Sequence, residues 1–182
     1  LGVDRAPRAH LSGPTHYKAL VILLEFSDHP ADTLNHSTAD YEDLLFSVGT
    51  RPTGSMRDYY REVSRGAFDI SGVVTRWYTA PRTYAEYTSG AGGFGSTPGS
   101  AQQMAADATF LAEADLDLSQ FDNDGPDGIP SSGDDDGTLD ALFIVHAGPG
   151  GEETAHLRVE QRALLAGGHH PARRADGHGE CP

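Results

Sequence analysis

The sequence predicts an α+β domain in which helices pack on a mixed sheet. Two apolar runs of strand length, KALVILLEF (residues 18–26) and LDALFIVHAG (residues 139–148), carry the Val and Ile content and the polar borders of buried strands. Between them, two stretches repeat apolar residues at helical spacing, one after Ser55 and one after Ser100. The length, 182 residues, suits one domain able to bury a core.

Residues 1–16 mix Arg, Pro, His and Gly without periodicity and read as a flexible leading segment. After the first strand, Ser37 caps a short helix over 38–46, with Asp40, Glu42 and Asp43 near its positive end. The stretch SMRDYYREVSRGAFDISGVVTRWY (residues 55–78) opens on a second helix. Ser55 caps it, Met56, Tyr59, Tyr60 and Val63 form its apolar stripe, and Gly66 supplies a left-handed stop. A strand or hairpin pair follows over 68–78 with Gly72 marking a turn or bulge, and the Tyr and Trp residues of the stretch are expected in the core. GAGGFGSTPGS (residues 90–100) is a flexible connector; lacking G-K-[ST], it is not a phosphate loop. Met104, Ala108 and Leu111 then recur on a helix over 100–114.

Formal charge is −14, from 27 acidic and 13 basic residues. That balance argues against nucleic acid, whose phosphates need Lys and Arg, and against an anionic membrane surface. No apolar run is long enough to span a bilayer and none reads as a signal peptide. Because the chain starts at Leu1 rather than Met, a further segment upstream is expected. The single cysteine, Cys181, cannot form an internal disulfide.

The acid is concentrated in FDNDGPDGIPSSGDDDGTLD (residues 121–140), which holds seven aspartates and no basic residue. Two unit charges at contact repel by roughly 4 kcal/mol at an effective dielectric near 20, so such a loop either extends into solvent or wraps a cation. Calcium takes six to eight oxygens in flexible loops with glycine at the sharp turns. D-N-D-G-P-D-G resembles the opening of an EF-hand loop but departs from it. Pro126 stands at the fifth position with Asp127 one place late, and Gly133 stands where the EF-hand has its glutamate. A looser calcium loop is predicted instead, with Asp122, Asp124, Asp127, Asp134, Asp136 and Asp140 as ligands and Asp135 pointing outward. The loop joins a helix to a buried strand, a junction whose two ends must be held.

Catalytic signatures are sparse. The zinc-peptidase motif H-E-x-x-H is absent. His169, His170 and His178 cluster where no rigid element is predicted, which reads as adventitious metal affinity. His146 is better placed, at a strand end before AGPGGEE, but a lone histidine there reads as hydrogen-bonded structure. Glu152 and Glu153 suit either a metal or a helix cap. No G-x-S-x-G occurs and the one cysteine stands next to the last residue, so a nucleophilic hydrolase is a poor reading.

Three segments in order, KALVILLEFSDHP, SMRDYYREVSRGAFDISGVVTRWY and FDNDGPDGIPSSGDDDGTLDALFIVHAGPGGEE, resemble the immune inhibitor A family of secreted bacterial metallopeptidases. A connecting helix around QQMAADATFLAEAD also stands where that family carries one. The likeness spans residues 18–154. It implies a zincin-like metallopeptidase N-terminal lobe, incomplete within this chain, and a secreted zinc endopeptidase acting on protein or peptide substrates. It also implies calcium in the acidic loop, zinc in the complete enzyme, and a pro-segment upstream. In that family the H-E-x-x-H helix comes later, so neither zinc ligands nor the general base carry over to any residue here, and the chain alone is expected to be inactive.

The expected organisation is therefore a flexible segment (1–16), the N-terminal part of a catalytic domain (17–154) and an aberrant or disordered tail (155–182). The tail is rich in Ala, Arg, Gly, His and Pro, as an off-frame reading of a GC-rich gene would be, and a frame slip near residue 155 is favoured over a genuine end. The alternative function is a calcium-dependent binding or cell-surface module without catalysis.

Overall fold

The computed structural model describes residues 15–123, 129, 132–133 and 136–150. The leading residues 1–14 and the tail 151–182 lie outside the described residues. Described residues through Gly148 belong to one compact unit; Pro149 and Gly150 belong to a second.

Strand β1 (Thr15–Glu25) is central, flanked by β2 (Phe68–Thr79) and β3 (Leu142–His146), and both pairings are parallel. Among the described residues the sheet is thus parallel rather than mixed. Parallel neighbours cannot be joined by a tight turn; the chain must cross back over the sheet, and the helices occupy the crossovers. Helices α1 (Thr38–Phe46) and α2 (Met56–Val63) lie between β1 and β2 in sequence. Helices α3 (Tyr84–Thr88) and α4 (Ala101–Glu113), then a 3-10 turn at Leu118–Phe121, lie between β2 and β3.

This placement explains why KALVILLEF carries no alternation. A central parallel strand covered on both faces must be apolar throughout, and Ala19 through Leu24 are all fully buried. Leu20, Ile22 and Leu24 pack with Phe26, Tyr78, Tyr87, Ala108, Ala112 and Phe121, the α3–α4 side. Val21 and Leu23 pack with Val74 and, half-buried, Tyr41, Phe46 and Trp77, the α1 side.

The capping residues behave as their chemistry requires. Ser37 and Ser55 each accept from the backbone amide three residues on, while Asp40 and Asp58 reach back to the cap amides. Thr83 and Glu86 form the same reciprocal pair for α3, a helix the sequence analysis missed despite its T-x-x-E signature.

The segment 68–78 is one twelve-residue strand, not a hairpin pair. Its irregularity falls beyond Gly72: the register with β1 shifts between Val21 and Leu23, whose partners are Val74 and Trp77. There the Thr75 hydroxyl accepts from the Leu23 amide at 3.1 Å and donates to the Arg76 carbonyl at 2.8 Å, filling in for the missed ladder bond. Gly72 is needed for packing instead, because the Phe46 ring lies where a Cβ would stand.

The aromatic residues of this segment divide. Tyr78 is buried, but Tyr59 is 60% exposed and Val63 58%, and α2 buries no residue completely. The predicted core stripe of α2 is half-solvated because α2 lies against β2, an edge strand, with Tyr60 leaning on the Phe68 ring at 5.5 Å.

What anchors α2 is polar. Arg57 grips Asp69 through hydrogen bonds of 2.8 and 2.6 Å, a bidentate pair. The guanidinium hydrogen bonds hold the Asp69 carboxyl below its ordinary 3.8. A depressed folded value means that the stabilisation is fully present above about 4 and is lost as pH falls through the depressed value. Replacing Arg57→Gln should move the midpoint of acid unfolding to higher pH, followed by circular dichroism; an unmoved midpoint would show that the pair does not brace the helix.

Candidate metal centre

The acidic loop leaves the 3-10 turn at Phe121, which is fully buried against the core, and returns to the sheet ahead of β3. Its two ends are tied together. The Asp140 amide donates to the Phe121 carbonyl at 3.0 Å, and an Asp140 carboxylate oxygen accepts from the Asn123 amide at 2.6 Å. Asp122 Oδ2 accepts from the Gly137 amide at 2.8 Å. The Asn123 side-chain amide reaches the His16 carbonyl at 3.1 Å, clipping the loop to the start of β1. Three aspartates of the predicted set, Asp122, Asp136 and Asp140, are thus described; Asp124, Asp127 and Asp134 lie outside the described residues, as does Asp135.

The three play different parts. Asp136 is exposed and its Oδ1 accepts from the Thr138 amide and hydroxyl, an Asx turn that shapes the loop. Asp140 is half-buried and serves as the clasp. Asp122 is 7% exposed, and its second oxygen, Oδ1, is buried with no hydrogen-bond partner. Next to it Asn123 is 5% exposed, and its side-chain carbonyl Oδ1 is orphaned in the same way. A buried unpaired acceptor costs about 1–3 kcal/mol, more when charged. Two such acceptors stand in consecutive residues at the root of the aspartate-rich loop.

Hard oxygen donors of this kind, one carboxylate and one amide carbonyl, suit calcium and not a zinc centre built from His and Cys. Asn123, whose buried side-chain carbonyl is unpartnered, stood outside the predicted ligand set. Among the described residues no three His, Cys, Asp or Glu side chains gather into a metal-sized group.

The remaining candidates resolve into structure. His146 ends β3 with its Nδ1 3.0 Å from the Ala147 carbonyl, to which it donates, and its ring lies near Phe26 and Tyr84. Nearby, burial works to raise the Asp28 carboxyl, but the amides of Tyr84 and Ala85, at 2.7 and 3.2 Å, outweigh it and hold the group below its ordinary range. At the other end of the sheet Ser71 Oγ is 3.0 Å from His16 Nε2, and His16 Nδ1 is 3.4 Å from Asp69. The order resembles a nucleophile, base and acid. Arg57 already claims the Asp69 charge, however, and the trio ties β1 to β2. Glu152, Glu153, His169, His170, His178 and Cys181 lie outside the described residues.

The profile of the immune inhibitor A peptidase M6 catalytic domain matches residues 8–164. Immune inhibitor A from Bacillus thuringiensis subsp. alesti is 30% identical over 159 residues, an alignment covering 74% of this chain and 23% of that protein. The pre-pro-metalloprotease PrtV of Vibrio cholerae serotype O1 is 31% identical over 163 residues, covering 74% of this chain and 17% of that protein. The chain thus spans less than a quarter of the length of these curated relatives. The match brackets the three segments quoted above and extends past them at both ends. The chain belongs to the immune inhibitor A peptidase M6 family, within its catalytic domain.

Proposed function

We propose that this chain forms the N-terminal part of the catalytic domain of a secreted zinc-dependent endopeptidase, zincin-like in fold, that hydrolyses peptide bonds in proteins. The family match over residues 8–164 carries this reading. PrtV, among the relatives, is named a metalloprotease, which favours the peptidase over a calcium-dependent binding module without catalysis. No helix among the described residues is long and apolar enough to cross a membrane.

The residues present do not fit the zinc. H-E-x-x-H is absent from the sequence, and no described cluster offers three ligands, so no hydrolytic step is assigned to any side chain here. On this reading the 182-residue chain by itself is expected to be inactive. Incubated with casein and zinc it should release no peptides, whereas the chain extended to carry H-E-x-x-H should do so and lose the activity to a chelator. Casein cleavage by the present chain, abolished in a chelator, would overturn the assignment of the catalytic centre to residues outside it.

The acidic loop fits calcium. Asp122 and Asn123 would hold the ion through their unpartnered oxygens, and Asp124, Asp127, Asp134, Asp136 and Asp140 complete the proposed set. The ion supplies charge neutralisation: it replaces carboxylate repulsion with attraction and fixes the junction ahead of β3.

A further inference from the structure

A cleft of about 540 Å³ opens between α3 and α4, lined by Pro81, Arg82, Glu86, Asp107, Phe110 and Leu111. Its size falls in the range of small-molecule sites, roughly 300–1,000 Å³. Phe110 is 75% exposed on its wall, an aromatic ring that the core does not use.

The charged groups divide by how far the protein has satisfied them. Asp107 is fully engaged: Oδ2 accepts from the Tyr87 hydroxyl at 2.6 Å and Oδ1 from the Gln103 amide at 2.8 Å. Glu86 uses Oε2 to cap α3, accepting from the Thr83 amide and hydroxyl at 2.8 Å each, and leaves Oε1 uncommitted. The Arg82 side chain makes no hydrogen bond among the described residues. Its Nε is buried without a partner, and its nearest anion, Asp107 Oδ2, is 3.7 Å away, beyond hydrogen-bond reach. A guanidinium is a planar fork built for a carboxylate, and here only the long ion pair from Nε to Asp107 meets it.

A simple anion would suit Arg82 but meet two carboxylates across the same cleft. A simple cation would meet the arginine. We propose that the cleft binds a zwitterion with an apolar body, an aromatic or large aliphatic α-amino acid, its carboxylate on Arg82, its ammonium on Glu86 and its side chain against Phe110 and Leu111. This site is independent of the peptidase reading and of the metal loop.

The test is calorimetric titration of the full chain with L-phenylalanine, N-acetyl-L-phenylalanine and L-phenylalanine amide. Phenylalanine should bind saturably, and each blocked analogue, missing one charge, at least tenfold more weakly. Arg82→Gln and Phe110→Ser should each weaken phenylalanine at least tenfold; thermal melts of both variants verify folding, and neither side chain belongs to the core. Absence of saturable phenylalanine binding overturns the proposal. So does an acetylated or amidated analogue that binds equally well, or an Arg82→Gln variant that binds unchanged. The analogue series uses only the unaltered chain and stays decisive should a variant fail to fold.

Discussion

Calcium added to chelator-treated chain should raise its melting temperature by about 5–10 °C at a concentration near one hundred times the dissociation constant. A ligand bound only by the folded state stabilises by about 2.7 kcal/mol at that ratio, and a chain of this size gains roughly 2–4 °C per kcal/mol. The physical source is local. Asp122 and Asn123 are buried with an unpartnered oxygen each, and the aspartates of the loop repel one another until a divalent ion joins them. Asp122→Asn removes the charge while keeping the shape, and should abolish most of the calcium-induced shift. Because Asn123 is clipped to the His16 carbonyl, the metal-bound form should also slow hydrogen exchange at the start of β1. Identical melting midpoints with calcium and with chelator would mean that no ion occupies the loop.

Gly72→Ala should destabilise by about 1–3 kcal/mol or more, the usual cost of overpacking a filled space, and Gly72→Val by more still. A Cβ at this position would overlap the Phe46 ring and approach the Ala19 carbonyl oxygen at 2.6 Å. The ring can turn aside; the carbonyl belongs to the central strand and cannot. Adding Phe46→Leu should therefore recover only part of the loss. Urea unfolding of the two single variants and the double variant measures this. A neutral Gly72→Ala would show that β1 and β2 are not held as closely as the packing requires.

Much of the fold was legible because it is local or periodic. Ser37 and Ser55 announced α1 and α2 through capping chemistry that acts over three residues. The spacing of Met104, Ala108 and Leu111 announced α4. The unbroken apolar run of β1 announced burial on both faces. The strand direction of the sheet was not legible, since parallel and antiparallel pairing can both be built from the same apolar run. Nor was the half-exposed face of α2, because a helical stripe records which side is apolar and not whether anything covers it.

The candidate site divides in the same way. Composition alone showed that residues 121–140 carry seven aspartates, which either extend into solvent or gather round a cation. Which of the described oxygens are already engaged was decided by tertiary structure. Asp136 spends Oδ1 on an Asx turn, Asp140 closes the loop, and among the described residues of the loop the buried Asp122 and Asn123 each keep one acceptor unpaired. The same holds for the cleft at Arg82, whose guanidinium keeps only a long ion pair with Asp107 because Tyr87 and Gln103 take that carboxylate's hydrogen bonds. By itself the sequence determined the charge, the helix starts, the buried central strand and the family likeness, all set by neighbours along the chain. The pairing direction, the bulge at Thr75 and the unpaired oxygens depended on groups far apart in sequence competing for the same partners, which only the folded chain decides.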